Sequence, residues 1–222
     1  MKGKDYEFEI KYSPSYSLLE VKLNNQEINA ETGAMVYMDS SINVDTNVKG
    51  GIFGALKRAI VGESIFINKF SGCGKIGLAP SFPGDIIHHT LEGVLYAQSG
   101  SYLASSPNIE IDTKFGGAKT FFGGKGIFLI KLEGEGDMFL SSFGAIAEIE
   151  LNDENIIVDN GNLVAFTEGL DYRLTKLGSL KSAIFGGEGK VYEFSGTGKI
   201  YIQSRNLESF ISMITPYIQT KK

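Results

Sequence analysis

Few residues in this 222-residue chain are of types that do chemistry, and they are scattered. Cys73 is the only cysteine, and it stands between two glycines in "FSGCG". A thiol becomes a good nucleophile where a base, a cation or a helix terminus lowers its pKa, and no activating base adjoins it. The residues at the same place in two related segments are Glu135 and Thr197, which share no chemistry with a thiol. Cys73 is therefore expected to be a tolerated structural residue. His88 and His89 are neighbours, and neighbours in a strand point to opposite faces, so the pair cannot chelate one ion. His89 aligns with the apolar Val21 and Ile149, which predicts a partly buried histidine, neutral or hydrogen-bonded. No grouping of His, Cys and carboxylates has metal-ligand spacing, so neither a metal nor a cofactor is expected.

The basic residues offer one pattern. Lys57, Lys119 and Lys181 recur at intervals of 62 residues, and Arg58 adjoins the first. Around a shared axis they could hold an anion or an anionic lipid. The structural alternative is three solvated lysines in equivalent loops. The glycine-rich runs do not spell a phosphate loop, and their Gly-x-Gly motifs join strand to strand rather than opening a helix. Nucleophile-elbow and zinc-helix motifs are missing too. With no catalytic constellation, the expectation is a protein that is not an enzyme.

The elements that would carry these residues repeat. "FSGCG", "LEGEG" and "FSGTG" place their first glycines at Gly72, Gly134 and Gly196, again 62 apart. Around them the windows 54–79, 116–141 and 178–203 align without gaps, and Gly33, Gly100 and Gly161 anchor a second alignment upstream. The β-branched and aromatic content of "IFINKF" and "VYEF" and the alternation in "KIYIQ" argue for strands. Each unit is expected to run strand, turn, strand, polar-Gly turn, strand, turn, strand, then a Gly-rich segment, a strand, a Gly-x-Gly turn and a last strand. Asn160-Gly161 is expected to form a type I′ hairpin turn. Ile52, Phe53, Leu56, Ile60 and Val61 space as a short amphipathic helix in 50–62. That segment could be a docking surface for another subunit or a membrane, or core packing. Shorter helical versions are expected near 116–124 and 178–187. Leu207, Phe210, Ile211 and Ile214 fall on one face of a C-terminal helix, with Asn206 as N-cap and Pro216 at its end.

Composition agrees with an all-β chain. Glycine makes up 28 residues against five prolines, which implies many bends and bulges. The net charge of −5 argues against nucleic acid bound through a broad basic surface. One cysteine permits no internal disulfide and suits a reducing compartment. The N-terminal "MKGKDYEFEIKY" has no apolar core of a secretory signal, and no apolar run approaches the ~20 residues of a membrane span. The expected location is the cytoplasm.

The stretch "GGIFGALKRAIVGESIFINKFSG" followed by "GLAPSFPGDI" resembles the altered inheritance of mitochondria protein 24 family and its bacterial and archaeal relatives. Lys57 and Arg58, Gly62 to Ser64 and Pro83 to Ile86 carry the match, with support from Gly33 to Val44 and the late "DNG". The resemblance implies tandem units similar to the tryptophan RNA-binding attenuation protein, a small double-stranded β-helix. Mitochondrial members are linked to inner-membrane organisation and assembly of large complexes. The family supplies no catalytic motif, and without a transit segment the organelle role is not carried over.

The fold expected is thus all-β: one domain of three tandem units in a pseudo-threefold arrangement, with short helical insertions and a C-terminal helix. The units are 1–83, 84–144 and 145–222. The function expected is a non-enzymatic interaction or scaffold protein, able to form a homo-oligomer or to meet a protein partner or membrane surface. A small-molecule-binding module with a site between repeats is the alternative. RNA binding rests on fold analogy alone.

Overall fold

Glycine pairs mark the middles of three long strands, not turns between short ones. The computed structural model describes residues 1–46, 67–113, 121–122, 127–176 and 190–218. In chain order the strands are β1 (Glu7–Lys11), β2 (Leu18–Glu31), β3 (Met35–Met38), β4 (Ile42–Asp45), β5 (Ile67–Leu78), β6 (Ile86–Gln98) and β7 (Tyr102–Ser105). They continue as β8 (Glu110–Asp112), β9 (Phe121–Phe122), β10 (Ile127–Ser141), β11 (Ile146–Asp159), β12 (Leu163–Thr167), β13 (Leu170–Lys176) and β14 (Lys190–Gln203). All belong to one antiparallel sheet whose main path runs β11-β14-β12-β6-β10-β7-β2-β5-β3. Among the described residues one α-helix, α1 (Leu207–Ile214), follows the last strand.

Three long pairs dominate: β2 with β5, β6 with β10, and β11 with β14. Two expectations about turns are corrected by them. "VKLNNQEINA" and "IELNDENIIV" are not strand, turn, strand. Each lies in one continuous strand with a bulge, at Asn25 (φ 57°) and Asp153 (φ 58°). The bulge absorbs one extra residue while the ladder continues on both sides. The Gly-x-Gly motifs likewise lie inside β5, β10 and β14. At Gly72 and Gly134 φ is 141°, a conformation that side chains rarely adopt. A Cβ at Gly72 would stand 2.5 Å from Ser41 O, and one at Gly134 would stand 2.4 Å from Asn108 O. The motif is needed because a crossing backbone passes directly over the strand.

The Asn160-Gly161 expectation also fails. Asn160–Asn162 is a 3-10 turn in which Asp159 accepts the Gly161 N–H at 2.8 Å. The flanking β11 and β12 both pair with β14, not with each other. Glycine is required there because a Cβ would meet the Asn206 side chain at 2.2 Å. Of the expected helical insertions, 50–62 and 178–187 lie outside the described residues. In 116–124, Phe121–Phe122 pairs with Ile127–Phe128 as strand.

The apolar residues gather into three clusters. In β14, Ile200 buries in the third, whereas Tyr201, on the opposite face, buries in the second. Alternation in "KIYIQ" therefore does not separate core from solvent, because both faces of the strand meet a core. At ~1.5–3 kcal/mol per fully buried large side chain, such two-sided burial is what holds the long strands together. The C-terminal helix forms where expected. Asn206 caps it by accepting from Glu208 N at 2.9 Å and Ser209 N at 3.1 Å. Its apolar face is only partly covered: Phe210 meets Phe143 at 5.4 Å between ring centres. No described helix is long and apolar enough to cross a membrane.

Candidate functional site

The densest polar constellation among the described residues centres on Asp137, just after the second glycine pair in β10. Its side chain is fully buried. Oδ1 accepts from Lys4 N at 2.8 Å and lies 2.7 Å from His88 Nε2. Oδ2 accepts from Asp5 N at 2.7 Å and Tyr6 N at 2.9 Å. The Asp137 N–H donates to Ser106 Oγ at 2.8 Å, and that hydroxyl donates to the Asp5 carboxylate. Gly3 permits the approach, since a Cβ there would meet both carboxylate oxygens at 2.4 Å. Burial alone would raise the Asp137 pKa. The His88 hydrogen bond and the three backbone N–H groups outweigh it and hold the carboxyl below its ordinary 3.8.

An Asp–His pair is the orienting half of a nucleophilic relay. Here Ser106, the nearby hydroxyl, is held by Asp5 and the Asp137 amide rather than by His88, so the relay is not assembled. His88 packs its ring 4.6 Å from Phe8 and 5.4 Å from Phe139. The constellation fastens residues 3–8 onto the middle of the sheet. Reading the sequence missed it. The signal available was the repeat itself, because the position of Asp137 is Lys75 in the first unit and Lys199 in the third, each paired with a glutamate.

His89 turns the other way, its Nδ1 3.1 Å from Tyr201 Oη. Burial pushes its pKa down, with smaller contributions from His88 and Lys199. The two histidines thus have different partners on opposite faces. Cys73 is exposed and lies within β5, opposite Asn24, rather than in a turn. Asn25 N donates to its Sγ at 3.1 Å. Lys57, Arg58, Lys119 and Lys181 lie outside the described residues, as do Ile52, Phe53, Leu56, Ile60 and Val61. Among the described residues no group of three or more His, Cys, Asp or Glu side chains could hold a metal.

A second constellation explains "PGDI". Asp85 accepts from Ser13 Oγ and Ser17 Oγ, both at 2.8 Å, and from Ile86 N at 2.9 Å. Its own N–H donates to Gly144 O at 3.0 Å. Gly84 forms a parallel bridge with Gly144. One short motif therefore ties the starts of β2, β6 and β11 together.

Glu31, at the end of β2, is the outlying carboxylate. Burial pushes its pKa from the ordinary 4.5 up to about 7. The folded state keeps its proton, so stability declines as pH rises from about 4.5 to about 7. Glu31→Gln is expected to stabilise the protein at pH 8 by about 1–2 kcal/mol, after discounting for solvent screening. At pH 4 it should change nothing. Thermal unfolding at the two pH values checks this, and an equal effect at both would refute it.

A groove of about 530 Å³ is lined by residues of β11, β13 and β14, among them Ile156, Ile157, Tyr172 and Phe194, with Arg173 and Glu193 at hand. Its lining residues all fall between Asn155 and Ser195.

Fold and clusters together define an all-β protein whose described buried carboxylates serve to join distant parts of one sheet. The chain belongs to the AIM24 family, described as mitochondrial biogenesis AIM24, whose model matches residues 8–205. It is 33% identical to an uncharacterised protein of Streptococcus pyogenes serotype M6, over 96% of this chain and 91% of that one. The crystal structure of a Streptococcus pyogenes protein superposes with a TM-score of 0.80 at 30% identity, covering 96% of this chain and 100% of the other.

Proposed function

We propose that this protein is a non-enzymatic interaction or scaffold protein, built from three tandem units. The observation that carries the reading is the use made of Asp137. Its two carboxylate oxygens meet four donors within 2.9 Å, three of them from the N-terminal segment, so the most reactive-looking cluster is occupied in packing. Asp85 is occupied in the same way. Membership of a family described by mitochondrial biogenesis is in keeping with a role in organising larger assemblies, either through a protein partner or at a membrane surface. A cytoplasmic location and the absence of a catalytic step belong to the same reading.

A second reading, a small-molecule-binding module with a site between repeats, draws on the groove beside Ile156 and Phe194 only in part, since β11, β13 and β14 alone line it. Native mass spectrometry of the full chain, purified gently from its host, separates the two. The scaffold reading expects protein assemblies without added small mass. A stoichiometric small adduct on a single chain would sink it and begin to identify a ligand.

A further inference from the structure

The sheet joins its units by one device, used twice. The first short strand of one unit adds to the second half of the long strand of the unit before it. In β7, Ala104 pairs with Ala30 and Ser105 with Asn29 of β2. In β12, Ala165 pairs with Ala97 and Phe166 with Tyr96 of β6. Each junction carries an apolar side chain into the neighbour's core: Leu103 into the first cluster and Val164 into the second, both 0% exposed.

Among the described residues the third copy of each half has no counterpart. Registration against the long strands makes β3 equivalent to β7 and β12. Met38 faces Ile76 as Ser105 faces Met138 and Phe166 faces Ile200. By the same registration Ile157 and Val158 of β11 correspond to the junction positions of β2 and β6. Yet β3 and β11 are the two ends of the sheet path. Val36, the counterpart of Leu103 and Val164, is 57% exposed, and Ile157 is 56% exposed. The third core contains no residue of β3. Ile156 is only half-buried, although its counterparts Ile28 and Leu95 are sealed. Beside Ile156 lies the open groove.

We propose that a second copy of this chain completes the sheet: β3 of one copy adds edge-on to Ile157–Val158 of β11 in the next, seating Val36 in the groove beside Ile156 and Phe194. The joint continues the two internal junctions across a molecular boundary. Knob and hole lie at opposite ends of the chain, so the contact is head-to-tail and builds a ring or a filament according to whether its rotation closes. The edges are suited to it. Ahead of the joint β11 carries exposed Glu148, Glu150, Asp153 and Glu154, charges that guard an edge against unspecific pairing. The run Ile156-Ile157-Val158 is uncharged where the joint falls. The aromatic ring that Phe139 and Tyr201 supply at the internal junctions is supplied at the free end by Tyr37, folded over Gly77.

The inference narrows the scaffold reading to one partner, the chain itself. The test is native mass spectrometry with light scattering on the full-length wild type, Val36→Glu and Ile157→Lys, with circular dichroism to show that both variants fold. Wild type should assemble, and each variant alone should lose assembly because one edge is blocked. Mixed one to one, the variants should give a dimer of twice the 24.1 kDa chain mass, through the one intact β3 and the one intact β11. A monomeric wild type, variants that assemble as wild type does, or a mixture that stays monomeric would each overturn the proposal. A monomer that still binds another macromolecule would overturn it while leaving the scaffold reading in place.

Discussion

Asp137→Ala is expected to lower stability by about 3–5 kcal/mol, because it strips three backbone N–H groups and His88 of a buried acceptor. For a chain of this size that corresponds to a melting temperature lower by roughly 6–20 °C. The loss should be local before it is global. Amide exchange at Lys4, Asp5 and Tyr6 should accelerate first, since their only shared anchor is gone. The Asp137 pKa is depressed in the folded protein, so its contribution is fully present above the ordinary value of 3.8 and is lost as pH falls below it. The gap between wild type and variant should therefore be wide at pH 7 and close towards pH 3. Unchanged protection of residues 4–6, or a gap that does not depend on pH, would refute the account of Asp137 as the fastener of the N-terminal segment.

Gly84→Ala should cost about 3 kcal/mol or more, with a melting temperature lower by roughly 6–12 °C. A Cβ at this position would stand 1.7 Å from Ser142 O and 3.2 Å from Gly144 N, both backbone atoms. Neither can swing aside as a side-chain end would. Relief would require parting the Gly84–Gly144 bridge and with it the bonds from Gly144 N to Pro83 O and from Ser17 N to Gly84 O. Gly100→Ala is the matched control, since a Cβ there meets nothing within 4 Å, and it should shift stability by no more than about 0.5 kcal/mol. Calorimetry of both variants checks the pair. A Gly84 variant that melts with the control would mean that the staple at "PGDI" contributes little.

Both predictions fall on residues that the sequence marked only indirectly. Asp85 and Gly84 stood in a segment that suggested the family, without any sign of what they touch. Asp137 broke the lysine pattern of Lys75 and Lys199. The partners that give these residues meaning lie far along the chain: Asp137 is 131 to 133 residues from the amides it holds, and Asp85 is 68 and 72 residues from its serines. No local pattern encodes contacts at that range. The glycine pairs teach the converse. Their spacing was plain in the sequence, but a glycine needed for a tight turn and a glycine needed beneath a crossing carbonyl are the same letter.

What the sequence determined by itself were the features set by local chemistry. Glycine excess and β-branched strands dictate an all-β fold, and the asparagine cap before an apolar spacing of three and four dictates the C-terminal helix. Adjacency in a strand separates His88 from His89. The tertiary structure decided which strand edges meet and which do not. Burial depends on what a neighbouring strand brings to a face, so Leu103, Val164 and Val36 occupy equivalent places in the repeat yet two are sealed and one is bare. That difference arises from position along the sheet, where β3 ends the strand path and no described strand lies beyond it.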